Sequence, residues 1–369
     1  MPATVIGLGD AKAVKKWSGE LAVDTARKSY FNKKFMGHGA SASMPIQVLT
    51  HLENDAGDNI SFDLSMQLKM APIEGDNKLE GNEENLTFYT DNLYIDQARA
   101  GVNTGGRMTR KRTLHDLRMV AKTRQSEWWA RMFDEQFFIY LSGARGINSD
   151  YIFPTNYTGR ANNSFSAPDT EHLMYGGSAT SKATVASTDK ISLALIDRAV
   201  TKATMMGGGA QGTPQVQPIM IDGEEHYVIV MSPYQEYDLR TNTSTGQWLD
   251  IQKAVATNEG SKKSPIFKGG MGMYNNVVLH SHKSVIRFTD YGAGGNVAAA
   301  RGLFMGEQAA VCAFGSPGSG MRFDWHEEFD DRGAQVVITT SSIFGIKKTR
   351  FNDKDFGVIA LDTAAADPG

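Results

Sequence analysis

The stretch WWARMFDEQFFIYLSG, Trp128 to Gly143, decides how the chain is read. It closes a helical pattern that begins near Leu114. Leu114, Leu117, Ala121, Trp128, Met132 and Ile139 recur at spacings of three, four and seven, the stripe of an amphipathic helix. Asp116, Thr123, Glu127 and Asp134 fall on the opposite face. Thr113 and Asp116 have the spacing of a capping box, and Gly143 suits a helix end. A helix over 114–143 would span ~45 Å. Its halves differ in character. Up to Arg124 there is one apolar stripe and a basic polar face. From Trp128 onward, Trp129, Phe133, Phe137, Phe138, Tyr140 and Leu141 spread apolar area nearly all round. The first half is expected on a surface. The second is expected inside a core, with Leu117, Trp128, Trp129, Met132, Phe133 and Phe137 as its contacts.

Working back from the helix, Arg107, Arg110, Lys111, Arg112, Arg118, Lys122 and Arg124 form a basic cluster. Before it lies a segment of opposite sign. In SFDLSMQLKM, Ser61 to Met70, the residues Phe62, Leu64, Met66, Leu68 and Met70 alternate with polar ones, the period of a half-buried strand. A polar stretch follows with Glu74, Asp76, Glu80, Glu83 and Glu84, and LTFYTDNLYIDQARAGV then reads as a returning strand. The sum is a long hairpin with an acidic tip. A two-stranded hairpin is marginal alone in water, so its apolar face needs a surface to cover it. The first forty-odd residues carry Trp17, Leu21, Tyr30 and Phe31 with little apolar company, and read as an arm lying on a partner subunit.

Downstream of the helix, Asn148 to Thr188 is rich in Asn, Ser, Thr and Gly and reads as loops with short strands. DKISLALIDRAVTKATMMGGG is a second helix with Leu193, Ile196, Ala199, Val200 and Ala203 as its buried stripe, ended by Gly207 to Gly209. PIMIDGEEHYVIV is a hairpin-like pair around Asp222 and Gly223, and SPYQEYDLRT starts a helix with Ser232 as cap and Pro233 in the first turn. The stretches GMGMYNNVVLHSHKSVIRF and AQVVITTSSIFGIKKTRFNDKDFGVIAL are strand-like.

Composition narrows the function classes. The 369 residues suggest two or three domains of ~100–200 residues each. Gly is high at 38 residues, which argues for many turns and bends. With 38 Lys plus Arg against 41 Asp plus Glu, the net charge is -3, without the basic excess of a dedicated nucleic-acid binder. The single cysteine, Cys312, excludes an intrachain disulfide and fits a reducing compartment. No apolar run approaches the ~18 residues of a membrane span, and the start lacks a signal-peptide core, so no membrane partner is expected.

Enzymatic motifs are mostly absent. There is no P-loop and no G-x-S-x-G elbow, and the glycine stretches at Gly7 and Gly270 lack the third glycine of a dinucleotide fingerprint. No cofactor is expected. Cys312 sits among small apolar residues as a buried, inert thiol. His280 and His282 share a strand face and could hold a metal, as in a metal-dependent hydrolase, but two surface or edge histidines are the preferred reading. HEEFDD, His326 to Asp331, reads as a polar strand end. The charged segments remain. Complementary patches on one chain, one of them on a projecting hairpin, can register copies of that chain head to tail and close rings. Glu74, Asp76, Glu80, Glu83, Glu84, Arg107, Arg110, Lys111 and Arg112 are therefore the candidate inter-subunit residues, with no catalytic set.

The order of arm, hairpin, long helix, α+β region and returning strands resembles the major capsid proteins of tailed bacteriophages with the Hong Kong 97-like fold, and among them the N-four-like podophage subgroup. GDNKLEGNEENLTFY, GGRMTRKRTLHDLR, WWARMFDEQFFIYLSG, VIVMSPYQEYDLR, PIFKGGMGMYNNVVLHSH and IFGIKKTRFN carry the resemblance, over roughly residues 75 to 352. It implies an α+β fold with an N-terminal arm (1–45), an extended hairpin or E-loop and its base (46–112), and a peripheral domain (113–189) with a spine helix over 114–143. An axial domain (190–309) follows, then peripheral return strands and a tail (310–369). It further implies self-assembly into hexamers and pentamers of an icosahedral head around double-stranded DNA, which is met by proximity and not read by sequence. Portal, scaffolding or decoration proteins would be the other partners, with assembly in the host cytoplasm and residence in the virion. An encapsulin-like nanocompartment shell is the alternative within the fold. The sequence carries no local signature for a Lys–Asn cross-link between subunits.

Overall fold

A computed structural model describes residues 11–38, 43–53, 57–66, 68, 70–207, 215–221, 223–241, 266, 271–316, 321–330 and 334–369. The readings at Gly7, Gly208, Gly209, Asp222 and Gly270 lie outside the described residues, as do residues 1–10 and 39–42 of the expected arm and 242–265 of the expected axial domain.

Six helices are described: α1 (Ala11–Lys28), α2 (Tyr30–Lys34), α3 (Arg107–Arg112), α4 (Leu117–Ser142), α5 (Leu193–Met205) and α6 (Pro233–Thr241). The long helix is α4. It starts three residues later than the capping-box spacing suggested. Asp116 is its N-cap, accepting from the backbone N–H of Arg118 at 3.0 Å and Met119 at 3.4 Å. Thr113 instead accepts from the N–H of His115 at 3.2 Å, a local turn that separates α3 from α4. Leu114 is therefore outside the helix and fully exposed. Gly143 ends α4 at φ 65, a left-handed conformation, and a Cβ there would stand 2.0 Å from the Ser166 carbonyl oxygen.

The two halves of α4 differ as their sequences do. From Trp129 to Ser142 every residue except Arg131 is buried, whereas Met119, Val120, Thr123, Arg124 and Glu127 are exposed. Trp129, Met132, Phe133 and Phe137 are buried core residues, while Leu117 and Trp128 are half-buried.

Two sheets flank this buried half. In the first, the strand order is Met36–His38, Ile46–Leu49, Ala310–Gly315, Gln335–Lys348 and Phe323–Asp330, and Asp96–Gly106 also pairs with Gln335–Lys348. Phe133 meets Phe344 at 4.6 Å between ring centroids, and Trp129 donates from its indole to Thr340 at 2.9 Å. The second sheet runs Gly272–Tyr274, Val277–Ser281, Glu224–Met231, Val297–Met305, Val358–Ala364 and Leu173–Tyr175. Its central strand carries Val228 and Val230 into the cluster around α4, and Tyr227, Ile229 and Met231 into a second cluster with α5. Burial on both faces explains why YVIVM reads as an unbroken apolar run and not as an alternation. The boundary expected at residue 309 does not separate the sheets: Val358–Ala364 lies in the second.

A buried clasp joins the end of α4 to the second sheet. Arg301 donates to the Ser142 carbonyl at 2.7 Å and, from Nε and Nη2, to the two Asp362 oxygens at 2.7 Å each. Tyr291 donates to Asp362 at 2.6 Å. The cation thus meets both a carboxylate and the electronegative end of the helix, which satisfies a charge that burial would otherwise penalise.

The arm departs from expectation. Leu21, Phe31 and Phe35 are fully buried against this chain's own body, and Trp17 stacks on Trp325 with ring centroids 5.8 Å apart. The covering surface for residues 17–38 is α4 and the strand Phe323–Asp330, so no partner subunit is needed to hold them.

Candidate assembly surfaces

The hairpin is shorter in regular strand than its alternation implied. Asn59–Ser65 pairs with Phe88–Tyr94, with Ile60 opposite Leu93. At its base Ile60 and Leu93 pack with Leu49, Leu52, Val311 and Ala313. Phe62, Leu64 and Met66 are half-buried, but Leu68 and Met70 are exposed. The expected returning strand breaks at Ile95: Phe88–Tyr94 closes the hairpin, and Asp96–Gly106 enters the first sheet.

From Ala71 through Phe88 every residue except Ile73 is exposed. Glu74, Asp76, Glu80, Glu83 and Glu84 all lie in this tip, beside a single cation, Lys78. Two turns shape it. Asn77 donates to the Glu74 carbonyl at 2.8 Å, and the Asn82 N–H donates to the Leu79 carbonyl at 2.9 Å, with Gly75 and Gly81 at positive φ. Glu84 accepts from the Met70 N–H and Glu83 from the Gly81 N–H, each at 2.7 Å. The tip is thus hydrogen-bonded within itself, yet Leu79, Leu86 and Phe88 stand 54%, 60% and 58% exposed. Large apolar side chains clustered on a projection mark a contact surface.

The basic cluster divides in two. Arg118 and Lys122 on α4 are engaged internally. Arg118 pairs with Glu327, its Nε 2.6 Å from Oε1, and Lys122 pairs with Glu20 of α1. The other four, Arg107, Arg110, Lys111 and Arg112, make up most of the six-residue α3. Among the described residues none of the four has a carboxylate partner. Arg110 is half-buried, donates weakly to the Ala334 carbonyl at 3.3 Å and leaves its Nε without a partner. Between α3, the start of α4 and the ends of two strands lies an open cavity of about 350 Å³. Leu117, Phe329, Val336 and Ile338 give it an apolar floor, and Arg110 and Glu327 a charged edge. Exposed Met108 and Leu114 extend the apolar surface beside it. Acidic tip and basic helix are therefore both surface features, but the structure does not bring them together within one chain.

The histidine pair is not a surface feature. His280 is fully buried, with Nε2 2.7 Å from the Ile266 carbonyl and its ring 5.2 Å from Phe35. His282 stacks on Phe138 at 5.1 Å. Burial lowers both to about 4, so they are neutral aromatic packing residues near neutral pH. The preferred reading of them as surface or edge histidines is corrected, and among the described residues no three His, Cys, Asp or Glu side chains converge as metal ligands. Cys312 is fully buried and its thiol is pushed up to about 12 by burial, the inert thiol expected.

Sequence reasoning missed Asp134. Placed on the polar face, it is instead buried and holds the arm. It accepts from the Ser29 hydroxyl at 2.8 Å and from the N–H groups of Tyr30 at 2.8 Å and Phe31 at 3.1 Å. Burial raises its carboxyl to about 6 against the pull of those donors. The available signal was an acidic residue inside an otherwise apolar run, three residues before Phe137.

The phage capsid protein family model matches residues 5–367. A major capsid protein of Pseudomonas phage KPP25 is 28% identical, with 92% of each chain covered. The capsid of Ralstonia phage GP4 is 55% identical over 100% of both chains, with a TM-score of 0.86. The capsid chain of cyanophage Pam1 shares the fold at a TM-score of 0.72 with 20% identity, covering 92% of this chain and 93% of its own.

Proposed function

The chain belongs to the phage capsid protein family, as the major capsid protein of a tailed-phage head with the Hong Kong 97-like fold, and we propose that it closes into hexamers and pentamers of an icosahedral shell around double-stranded DNA. Self-association into the virion shell follows from that membership. The finer reading rests on one observation: an otherwise well-packed chain extends a hairpin whose tip exposes both carboxylates and leucines. Such a surface is stabilised by covering it, and binding to the folded state adds stability by mass action.

The first sheet with α4 serves as the peripheral domain. The second sheet with α5 and α6 serves as the axial domain, and it includes the strand Val358–Ala364, which the sequence-based division left with the peripheral domain. The hairpin is the E-loop, reaching a neighbouring subunit. The acidic tip and α3 are inter-subunit contacts. The role is structural and needs no catalytic residue or cofactor. Portal, scaffolding or decoration proteins complete the head, and assembly takes place in the host cytoplasm. The slight net negative charge suits an inner wall that adjoins packaged DNA without binding it tightly.

Electron microscopy of the purified chain tests this. Shells, or rings of five and six, are expected. A persistent monomer under all assembly conditions would overturn it.

A further inference from the structure

We propose that the cavity beside α3 is the receptor for the hairpin tip of a second copy of this chain, with Leu79 and Leu86 against its apolar floor and Glu80, Glu83 and Glu84 facing Arg110 and its α3 neighbours. The inference rests on the assembly reading and adds the identity of the receiving surface. Three observations carry it.

The first is charge. Five carboxylates and one lysine occupy Glu74 to Glu84, whereas α3 holds four cations and no carboxylate in six residues. The second is apolar match. Leu79 and Leu86 are more than half exposed on one surface, and Leu117, Val336 and Ile338 form an open floor on the other. A mixed contact of this kind, with apolar side chains at the centre and charges at the rim, is how specific interfaces are built. The third is an incomplete hydrogen-bond set. The Nε of Arg110 is buried without a partner, next to a cavity wide enough for a leucine or a glutamate side chain. A carboxylate entering there would complete the guanidinium's donors.

The occupant is a second copy because both halves of the match are on this one chain and its own tip does not reach α3: Ala71 to Phe88 stays exposed apart from Ile73. The contact is heterologous, tip into cavity, so each subunit has one of each to offer and the chain of contacts closes into a ring.

Cys312 is the only cysteine and is fully buried, so introduced thiols can be read cleanly. The test is the double variant Leu79→Cys, His115→Cys, treated with a short bis-maleimide after assembly and run on a denaturing gel. His115 lines the cavity and is exposed. A ladder of covalent oligomers reaching beyond the dimer is expected, with none from either single-cysteine control. Assembled shells with no ladder, or a ladder that stops at the dimer, overturn the inference and leave the assembly reading standing. Failure of the unmodified chain to assemble overturns the assembly reading itself.

Should the double variant not assemble, charge exchange decides. Arg110→Glu with Lys111→Glu lowers shell yield by about tenfold, and adding Glu83→Lys with Glu84→Lys restores part of it. Unchanged yield in the first variant, or no restoration in a second that folds normally by circular dichroism, overturns the inference. So does a ladder formed with a co-expressed phage protein of another size in place of this chain.

Discussion

The buried half of α4 and the tip of the hairpin use the same apolar residue types to opposite ends. From Trp129 to Ser142 the side chains are enclosed by two sheets. From Ala71 to Phe88 leucines and a phenylalanine face outward among carboxylates. The helix segment stabilises the subunit, whereas the tip contributes nothing to the folded monomer that a polar loop would not. The contrast teaches that folding and association are separable here. One is set by the core around the spine, the other by a projection that leaves its contacts unmade.

Mutations can break or sharpen that separation. The largest effect is expected at Phe137, fully buried against Phe31. Phe137→Ala should cost about 3–5 kcal/mol by urea denaturation of the subunit. A loss below about 1 kcal/mol would mean that the helix is not the core element. Next comes Gly143→Ala, which forces a Cβ to within 2.0 Å of the Ser166 carbonyl oxygen at a φ of 65. A loss of about 2 kcal/mol or more is expected in the same assay.

Asp134→Ala should cost about 1–3 kcal/mol by leaving the donors of Ser29, Tyr30 and Phe31 unmatched. The pH dependence gives its sign. The folded-state carboxyl, raised to about 6, takes up its proton earlier than the unfolded chain does. Its contribution is full below the ordinary carboxylate range and is lost as pH rises through about 6. His280, lowered to about 4, runs the other way: its contribution is full above the ordinary imidazole range and is lost as pH falls through about 4. Stability measured from pH 7 downward should therefore fall more gently in His280→Gln than in the parent chain, and more steeply in Asp134→Asn. Parallel curves would show that neither group titrates with folding.

The smallest stability change belongs to the tip. Replacing Glu80, Glu83 and Glu84 with Gln should shift subunit stability by no more than about 0.5 kcal/mol while lowering shell yield. Normal yield from that variant would reduce the acidic tip to a solvated turn.

Much of this division is legible in the sequence, because periodicity reports burial. The change of pattern at Trp128 marks where α4 leaves the surface, and the acidic and basic runs are surface features as read. Three things were not legible. The arm's docking depends on residues far apart in the chain, Phe31 on Phe138 and Trp17 on Trp325, so local pattern made it look unsupported. Asp134 and Lys122 sit where helical phase puts polar groups outside, but α1 and α2 cover that side. The histidines share a strand face as expected, but the face is inward, which alternation cannot decide when both faces of a sheet are covered.

The strand Val358–Ala364 sets an order in time. It lies between Val297–Met305 and Leu173–Tyr175, and it is the only strand that Leu173–Tyr175 pairs with among the described residues. Residues from the far end of the chain thus complete a sheet whose other members are made earlier. During synthesis the second sheet stays open until these residues clear the ribosome, and Arg301 waits for Asp362. A nascent subunit cannot present a finished axial surface, so shell growth is supplied only by released chains.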